Sequence, residues 1–378
     1  MTETRPIGVI FGAGNIGKGL AGELFQGAGL LPTFIEADPA VVKSLSAMPE
    51  YALHIHAGES TTERRVGPFE ICAAGSPEAR AALRRASVCA TAVGPTNLQA
   101  VGRALAAACG EREDGPWNVL VCENYRHGAE DLRARLSGQD GAPGCVQCSV
   151  ERIVVGAETD EEGLLRVHAE GRSPLFAASG NWQGPLPDWP GLRFVEDVGA
   201  YFDRKKYTNN FGHAVLGYLG ALKGYRYVWQ AAEDDELASL LAELLDRICA
   251  GLAREYDAWS RDDLEDHKRL LLQERFSNRA VGDTIERVCR DPSRKLGPEE
   301  RIIGALRLLR RHGQPTDGFG RLIGAAALFA MENETDCWPA PDAGESALTE
   351  ALAAATTLER SSPLIREAVD FVQQKGDV

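Results

Sequence analysis

Short apolar runs alternate with helical patterns along the first half of the chain, whereas the second half contains helical patterns alone. The runs "IGVIF", "PTFIE", "SVCATAV" and "NVLVCE" have lengths typical of buried strands, and "VQCSVERIVV" and "GLLRVHAEG" add further strands. After Val195, long amphipathic patterns such as "DDELASLLAELLDRICAGLAREY" replace them. We therefore predict an α/β domain over residues 1–194 and an all-α domain over residues 195–378.

The segment between these halves, "GNWQGPLPDWPGL", is rich in glycine and proline, which is typical of a passage between domains. A chain of 378 residues also exceeds what one hydrophobic core usually supports. We expect two domains with a binding cleft between them.

A glycine-rich turn follows the first predicted strand and opens the first predicted helix. It contains Gly12, Gly14 and Gly17 in the order G-x-G-x-x-G, with Asn15 and Ile16 between the last two. In a Rossmann-type fold the first glycine allows a tight turn, the second lets the backbone approach a pyrophosphate, and the third lets the helix pack closely. N–H groups at the helix start then bind the phosphates. We predict a dinucleotide site at this turn.

An acidic residue, Glu36, ends the second strand about twenty residues beyond the turn. A carboxylate at this position binds the hydroxyls of the adenosine ribose and repels a 2′-phosphate, so we predict NAD as the cofactor. Ligands of open α/β sheets lie beyond the carboxyl ends of the strands. Thr91, Val93 and Gly94, which end the third of these strands, are therefore further candidates for cofactor binding, and Asn124 is a candidate at the end of the next strand.

The composition, with 44% hydrophobic and 25% charged residues, is that of a globular protein. The net charge of -14 argues against a nucleic-acid or anionic-membrane partner, because either would require a basic surface. The longest apolar run, "LIGAAALFAM", is well short of the roughly 18 residues that span a membrane. No long apolar stripe demands a partner subunit. We expect a cytoplasmic monomer that acts on a small molecule.

Two short motifs could bind a metal but are interpreted as structural. Cys145 and Cys148 form C-x-x-C, but no second pair follows at the spacing of a zinc site, and the neighbouring valines indicate a strand. His54 and His56 lie two residues apart on a predicted strand, and the sequence suggests no third ligand near them. We expect reduced thiols and no bound metal.

The stretch "KKYTNNFGHA" opens the helical half with two lysines, two asparagines and a histidine. On an ideal helix Lys206, Asn210 and His213 lie within about 60° of one another. Lys205, Asn209 and His213 form a second series at spacings of four residues. Periodicity alone slightly favours Lys206, and it leaves open that the stretch is only the polar start of a surface helix.

These motifs together resemble the polyol-specific long-chain dehydrogenases. The resemblance covers nearly the whole chain, through "FGAGNIGKG", "TAVGP", "CEN", a K-x4-N-x2-H signature, "ERFSN" and "RKL". It implies that Lys205, Asn210 and His213 are catalytic, together with Asn124 in the nucleotide-binding domain. The signature thus selects Lys205, not Lys206, as the general acid and base.

The resemblance also implies a reaction, the transfer of hydride between a secondary alcohol and NAD. Oxidation requires removal of the hydroxyl proton, which a lysine can accept when burial and nearby positive charge lower its pKa from about 10.4. It also requires N–H donors for the oxygen that gains negative charge, a role for Asn124 and Asn210, while His213 orients the hydroxyl. No zinc-ligand cluster is visible in the sequence, so we expect a metal-independent reaction.

A basic cluster, "ERVCRDPSRKLGPEER", is a candidate for substrate binding. Its interspersed acids also fit a solvated helix with alternating charges. In similar enzymes an arginine and a lysine eight residues apart contact the sugar chain, which implies Arg287 and Lys295 as substrate-binding residues.

The chain lacks the extra segments of larger relatives, which favours a polyol phosphate as the substrate. The expected reaction interconverts D-mannitol 1-phosphate and D-fructose 6-phosphate. The alternatives are an unphosphorylated polyol, a hexuronate, or a non-catalytic NADH sensor. The sensor needs no proton donor and therefore no such lysine.

Overall fold

The computed structural model describes residues 5–57, 60–112, 115–161, 163–171, 174–334 and 337–376. The chain divides into two compact units, Met1–Phe202 and Asp203–Val378. This division lies within the helix Val198–Arg204, a few residues after the boundary predicted from the sequence.

The described part of the first unit contains twelve strands in two sheets. The strands are β1 (Ile7–Phe11), β2 (Leu31–Glu36), β3 (Tyr51–Ala57), β4 (Ser60–Val66), β5 (Glu70–Ala73), β6 (Ala86–Thr91), β7 (Asn118–Val121), β8 (Gly144–Val150), β9 (Val154–Thr159), β10 (Leu165–Glu170), β11 (Leu175–Ala178) and β12 (Leu192–Val195). Its helices are α1 (Glu23–Gly27), α2 (Pro39–Ser46), α3 (Pro77–Arg85), α4 (Leu98–Cys109) and α5 (Gly128–Arg135).

The larger sheet has the strand order β5-β2-β1-β6-β7-β8-β11-β12. All neighbours from β5 to β8 are parallel, whereas β11 runs antiparallel to β8. The first six strands therefore have the Rossmann order, and the direction of winding switches between β1 and β6. The predicted Rossmann-type α/β fold is confirmed.

The central strands are buried on both faces, which explains their continuous apolar runs. Every residue of β1 is buried. Ile10 packs on one face with Phe25 and Phe34, and Val9 packs on the other with Leu105. Each such side chain contributes about 1.5–3 kcal/mol on full burial, so these strands anchor the loops that follow them.

The smaller sheet has the order β4-β3-β10-β9 and differs from the expectation at one point. The run "VQCSVERIVV" is not one strand, because it is divided between β8 of the larger sheet and β9 of the smaller one. Arg152 occupies the break, where its guanidinium donates to Gly19 O at 3.0 Å and pairs with Glu23. This contact with the first helix turns the chain out of the larger sheet.

The second unit is helical in the part that the structure describes, which confirms the predicted all-α domain. Its helices are α6 (Val198–Arg204, shared across the division), α7 (Phe211–Leu222), α8 (Val228–Ala232), α9 (Asp235–Glu255), α10 (Arg261–Leu270), α11 (Ile285–Cys289), α12 (Pro292–Lys295), α13 (Arg301–Arg311), α14 (Phe319–Asn333), α15 (Glu345–Thr356) and α16 (Pro363–Gly376). Two π-helical segments, Lys205–Asn210 and Leu271–Arg275, interrupt the regular helices.

The apolar run from Leu322 lies in α14, where Leu322, Ile323 and Leu328 are buried in the protein core. Among the helices described by the structure, none combines the length and hydropathy required to cross a membrane.

Candidate active site

The glycine-rich turn is packed tightly on one side and open on the other. Gly12 has a φ of 92°, and a Cβ there would come within 2.5 Å of Ala92 O. A Cβ at Gly17 would overlap the carbonyl oxygen of Gly12. At Gly14, in contrast, no atom lies within 4 Å of an added Cβ. The loop therefore has the close packing and the open approach that a bound pyrophosphate requires.

The helix that follows presents its first residues to solvent. Asn15 is exposed and Ile16 is half-buried, so N–H groups of the helix start can reach a phosphate. Lys18 is buried behind the turn, and its ammonium donates to Ala13 O. Burial lowers the pKa of Lys18, while the carboxylate of Glu36 opposes this shift. Lys18 therefore supports the turn from behind, a role that the sequence did not suggest.

The carboxylate of Glu36 lies at the end of β2 beside the turn. One oxygen accepts from Ala13 N at 2.8 Å, and the other accepts from Ala37 N at 2.7 Å and Asp38 N at 2.9 Å. These bonds fix the carboxylate on the wall of a cavity of about 660 Å³. The cavity is also lined by Gly12, Gly14, Val93, Arg80 and Arg103. The residues present therefore fit the adenosine and phosphate part of a dinucleotide.

The loop after β6 contains the other predicted cofactor residues. Thr91 is completely buried, and its hydroxyl has no hydrogen-bond partner in the described chain. Val93 N and Gly94 N donate to the two carboxylate oxygens of Glu123 at 3.0 and 2.9 Å. Glu123 is buried at the end of β7 and fixes this loop, whereas the next residue, Asn124, is exposed. Glu123 is the glutamate of "CEN", and no pattern in the sequence indicated this role for it.

In the second unit the stretch that holds the two lysines forms a π-helix, Lys205–Asn210. Residues five apart are neighbours on one face of a π-helix, whereas on a regular α-helix they would be about 140° apart. Lys205 and Asn210 therefore lie on one face of the π-helix, as do Lys206 and Asn210, and His213 follows Asn210 by three residues at the start of α7. Helical periodicity favours Lys206 because it assumes α-helical geometry throughout.

The two lysines have different surroundings. Lys206 Nζ donates to Glu299 O at 3.1 Å in an exposed contact and lies 5.6 Å from the centroid of the Tyr207 ring. Both lysines are half-buried. The contact with Glu299 engages the Lys206 ammonium on the N-terminal side of α13.

His213 is buried and has a protein partner at each ring nitrogen. Nδ1 lies 2.9 Å from Asn209 O, and a carbonyl only accepts, so Nδ1 carries a proton. Nε2 lies 3.4 Å from Asp283 Oδ2, and the ring packs edge-on against Phe276 with centroids 5.1 Å apart. The contact between Nε2 and Asp283 is at the long end of the hydrogen-bond range.

Asp283 connects His213 to Arg287, the arginine predicted to bind substrate. Its two oxygens accept from Arg287 Nε at 2.6 Å and Nη2 at 2.5 Å. Burial alone would raise the pKa of Asp283, but the bonds from His213 and Arg287 outweigh it and lower the pKa to about 2. No motif pointed to Asp283, because its contact with His213 depends on the packing of α11 against α7.

Lys295, the second predicted substrate residue, is buried and donates to Val288 O at 2.8 Å. Burial, helped by the nearby Arg301, lowers the pKa of Lys295 to about 8. Glu300 pairs with Arg294 at 2.8 Å and with Arg301 at 3.4 Å. Among the described residues of this cluster, Lys295 and Arg290 have no carboxylate within ion-pair distance, and of these two Lys295 is buried whereas Arg290 is exposed.

The two motifs interpreted as structural are now located. Cys145 and Cys148 on β8 belong to the cores on opposite faces of the larger sheet, so their thiols point apart. His54 and His56 are joined by a third histidine, His168 of β10, whose Nδ1 lies 3.0 Å from His56 Nε2. The sequence did not suggest the proximity of His168 to this pair. Even so, no group of His, Cys, Asp and Glu in the described ranges has the arrangement of a metal site.

The fold and these residues define a two-domain protein with a Rossmann-type dinucleotide site and a lysine–asparagine–histidine face on its helical unit. A family model described as the mannitol dehydrogenase Rossmann domain matches residues 7–190. A second, described as the mannitol dehydrogenase C-terminal domain, matches residues 197–370. The chain belongs to the mannitol dehydrogenase family.

Two solved structures are similar over nearly the whole chain. Pseudomonas fluorescens mannitol 2-dehydrogenase, in a ternary complex with NAD and D-mannitol, has a TM-score of 0.77 and 18% identity, covering 99% of this chain and 92% of that one. A D-sorbitol dehydrogenase in substrate-free form has a TM-score of 0.74 and 18% identity, covering 98% of this chain and 95% of that one. The fold is therefore shared with polyol dehydrogenases.

Proposed function

We propose that the protein is an NAD-dependent polyol-phosphate dehydrogenase that interconverts D-mannitol 1-phosphate and D-fructose 6-phosphate, the activity of a mannitol-1-phosphate 5-dehydrogenase. The observation that carries the proposal is the π-helix Lys205–Asn210, which combines an amine, an amide and the imidazole of His213 on one face. The complex of the mannitol 2-dehydrogenase with NAD and D-mannitol supports the cofactor and the substrate class. We further propose that the protein acts in the cytoplasm as a monomer.

In this proposal the glycine-rich turn holds the pyrophosphate and Glu36 holds the ribose hydroxyls. Bound at these residues, NAD would supply the acceptor for the hydride of the carbinol carbon. Lys205 Nζ takes the hydroxyl proton during oxidation and returns it to the carbonyl oxygen during reduction. Asn210 and Asn124 donate N–H groups to the oxygen that gains charge, and loss of one such donor costs about 10²–10³ in rate. His213 Nε2 orients the hydroxyl.

The test of this reaction is NADH oxidation with a panel of ketoses and ketose phosphates. Turnover of fructose 6-phosphate far above fructose is the expected result. Turnover of fructose alone would favour the second candidate, a dehydrogenase of unphosphorylated polyols. The observation behind this candidate is the D-mannitol bound in the similar mannitol 2-dehydrogenase structure. Binding of NADH without turnover of any member would favour a sensor.

The cofactor choice can be tested at Glu36. In the parent we expect a strong preference for NAD over NADP, because the fixed carboxylate repels a 2′-phosphate. Glu36→Ser is expected to narrow the ratio of kcat/KM values by about tenfold or more, which corresponds to roughly 1.4 kcal/mol. The lining residues Arg80 and Arg103 then become available to a 2′-phosphate.

The matched control is Asp38→Ser, which removes a nearby exposed carboxylate but keeps an N-cap for α2, since Asp38 Oδ1 accepts from Ala40 N at 2.8 Å. Its cofactor preference is expected to stay that of the parent. Equal use of NADP by the unaltered protein would refute the assignment of Glu36.

Asp283→Asn tests the link between Arg287 and His213. The asparagine amide keeps the volume of the Asp283 side chain but removes the negative charge that faces Arg287 and His213. Because charge-assisted hydrogen bonds contribute about 1.5–3 kcal/mol, we expect kcat/KM for the sugar substrate to fall about 10- to 100-fold, mainly through KM. The measurement is steady-state kinetics beside the KM for NADH, which is expected to stay unchanged.

Glu286→Gln is the control, because Glu286 is an exposed acid on α11, the helix that carries Arg287. It is expected to behave as the parent. A parent-like substrate KM in Asp283→Asn would show that this carboxylate does not organise the substrate site.

A further inference from the structure

The π-helix Lys205–Asn210 is an unusual local conformation that requires support, because an uninterrupted α-helix is the ordinary alternative. Phe211 N donates to Lys206 O, five residues back. At the start of the turn, the side-chain hydroxyl of Thr208 donates to Arg204 O at 2.6 Å. In an α-helix that carbonyl would accept from the backbone N–H four residues on. The Thr208 hydroxyl thus adds a side-chain donor to this carbonyl at the start of the widened turn.

Thr208 is held in turn by a residue from another helix. Thr208 is completely buried, and its Oγ1 lies 2.9 Å from Nε2 of His267 on α10. A threonine hydroxyl has one proton, and here that proton goes to Arg204 O, which only accepts. His267 Nε2 must therefore be the donor in its bond to Thr208. The hydrogen bonds run in one direction, from His267 through Thr208 to the backbone before Lys205.

The surroundings favour the neutral imidazole that this chain of bonds uses. Burial and the guanidinium groups of Arg204 and Arg275 hold the pKa of His267 well below its usual range. Arg204 itself is fixed, since its guanidinium carbon lies 4.0 Å from the centroid of the Trp259 ring. The imidazole therefore keeps one proton over the pH range in which such an enzyme is assayed, and Thr208 fixes that proton at Nε2.

We propose that His267 and Thr208 are positioning residues for the reaction: their hydrogen bonds hold the π-helix in the register that aligns Lys205 with Asn210 and His213. The inference rests on the proposed function, because it assigns to these residues the geometry of the proton-transferring lysine. Neither side chain transfers the proton itself. Because a displacement of about 1 Å can cost about 100-fold in rate, loss of the register is expected to appear in kcat.

The test compares substitutions that remove each hydrogen bond with substitutions that keep it. Thr208→Val and His267→Leu remove the bonds, whereas Thr208→Ser keeps a hydroxyl and His267→Gln keeps an N–H donor near the position of Nε2. We expect kcat of the first two to fall about 10- to 100-fold with NADH affinity unchanged. The serine and glutamine variants are expected to stay within a few-fold of the parent. The double variant Thr208→Val/His267→Leu is expected to be no slower than Thr208→Val, because both changes break one chain.

The pH profile of polyol oxidation separates positioning from packing. We expect the ionisation seen in the parent to move in Thr208→Val and to stay in place in Thr208→Ser. Equal loss in all four single variants, or parent-like kcat in Thr208→Val and His267→Leu, would overturn the positioning role. Lys205→Ala is assayed in parallel. If it keeps the parent rate, the proposed function fails; if it is inactive while Thr208→Val equals the parent, only the positioning role fails.

Discussion

Replacement of Lys205 by alanine is expected to lower kcat by more than about 10⁴-fold while NADH still binds. General acid–base catalysis by one side chain contributes about 10²–10⁴. The loss is expected to exceed this range, because the site also loses a positive charge beside the oxygen that becomes negative. The measurement is kcat in both directions, together with NADH binding by fluorescence.

Lys206→Ala is the matched control, since it removes the same side chain one residue later. Lys206 Nζ is exposed and bonded to Glu299 O, so its loss is expected to change kcat by no more than a few-fold. In the parent the rate of oxidation is expected to rise with pH through one ionisation that is absent in Lys205→Ala. If Lys206→Ala were the inactive variant, the register Lys205, Asn210, His213 would be wrong for this chain.

A second large effect is expected in the choice of substrate. We expect kcat/KM for fructose 6-phosphate to exceed that for fructose by about 10³-fold or more, because a site built for an anion leaves its cation unpaired when the anion is missing. Arg287, Arg294 and Arg301 are each paired with an acid. Lys295 and Arg290 have no such partner among the described residues, and we expect Lys295 to contribute most to the discrimination because it is buried whereas Arg290 is exposed.

The pH dependence follows from the pKa of Lys295, which is lowered to about 8. The ammonium is present below this pH and is lost above it, whereas a phosphate ester with a second pKa of about 6 stays dianionic. The preference for the phosphate is therefore expected to shrink as the pH rises through 8.

Lys295→Gln is expected to reduce the preference and to remove this pH dependence. Arg310→Gln, at an exposed cation on α13, is expected to change neither. A parent that used fructose as well as its phosphate would make the unphosphorylated polyol dehydrogenase the better assignment.

Much of the nucleotide-binding unit could be predicted from the chain, because its determinants are local. A run such as "IGVIF" is buried on both faces wherever a parallel sheet is covered by helices, and the structure has it as β1. At Gly12 and Gly17 nearby backbone atoms leave no room for a side chain, so only glycine fits. The spacing of these glycines in the sequence therefore indicated the turn. Glu36 lies beside that turn because β2 pairs in parallel with β1, a pairing that the strand–turn–helix–strand pattern of a Rossmann-type fold predicts.

Contacts between distant segments could not be predicted in this way. His168 lies 112 residues from His56 and meets it only because β10 pairs with β3. Asp283 reaches His213 only because α11 packs against α7. No period in the sequence encodes either pairing, since each is set by the burial of whole strands and helices.

The sequence by itself determined the class of fold, the glycine-rich turn and the presence of lysine, asparagine and histidine in one stretch. Only the tertiary structure decided that this stretch is a π-helix, whose wider turn brings Lys205 as well as Lys206 onto the face of Asn210. Helical periodicity assumes about 100° per residue and therefore pointed to Lys206. The buried hydroxyl of Thr208 and its bond to His267, 59 residues away, accompany a wider turn that no local pattern specifies.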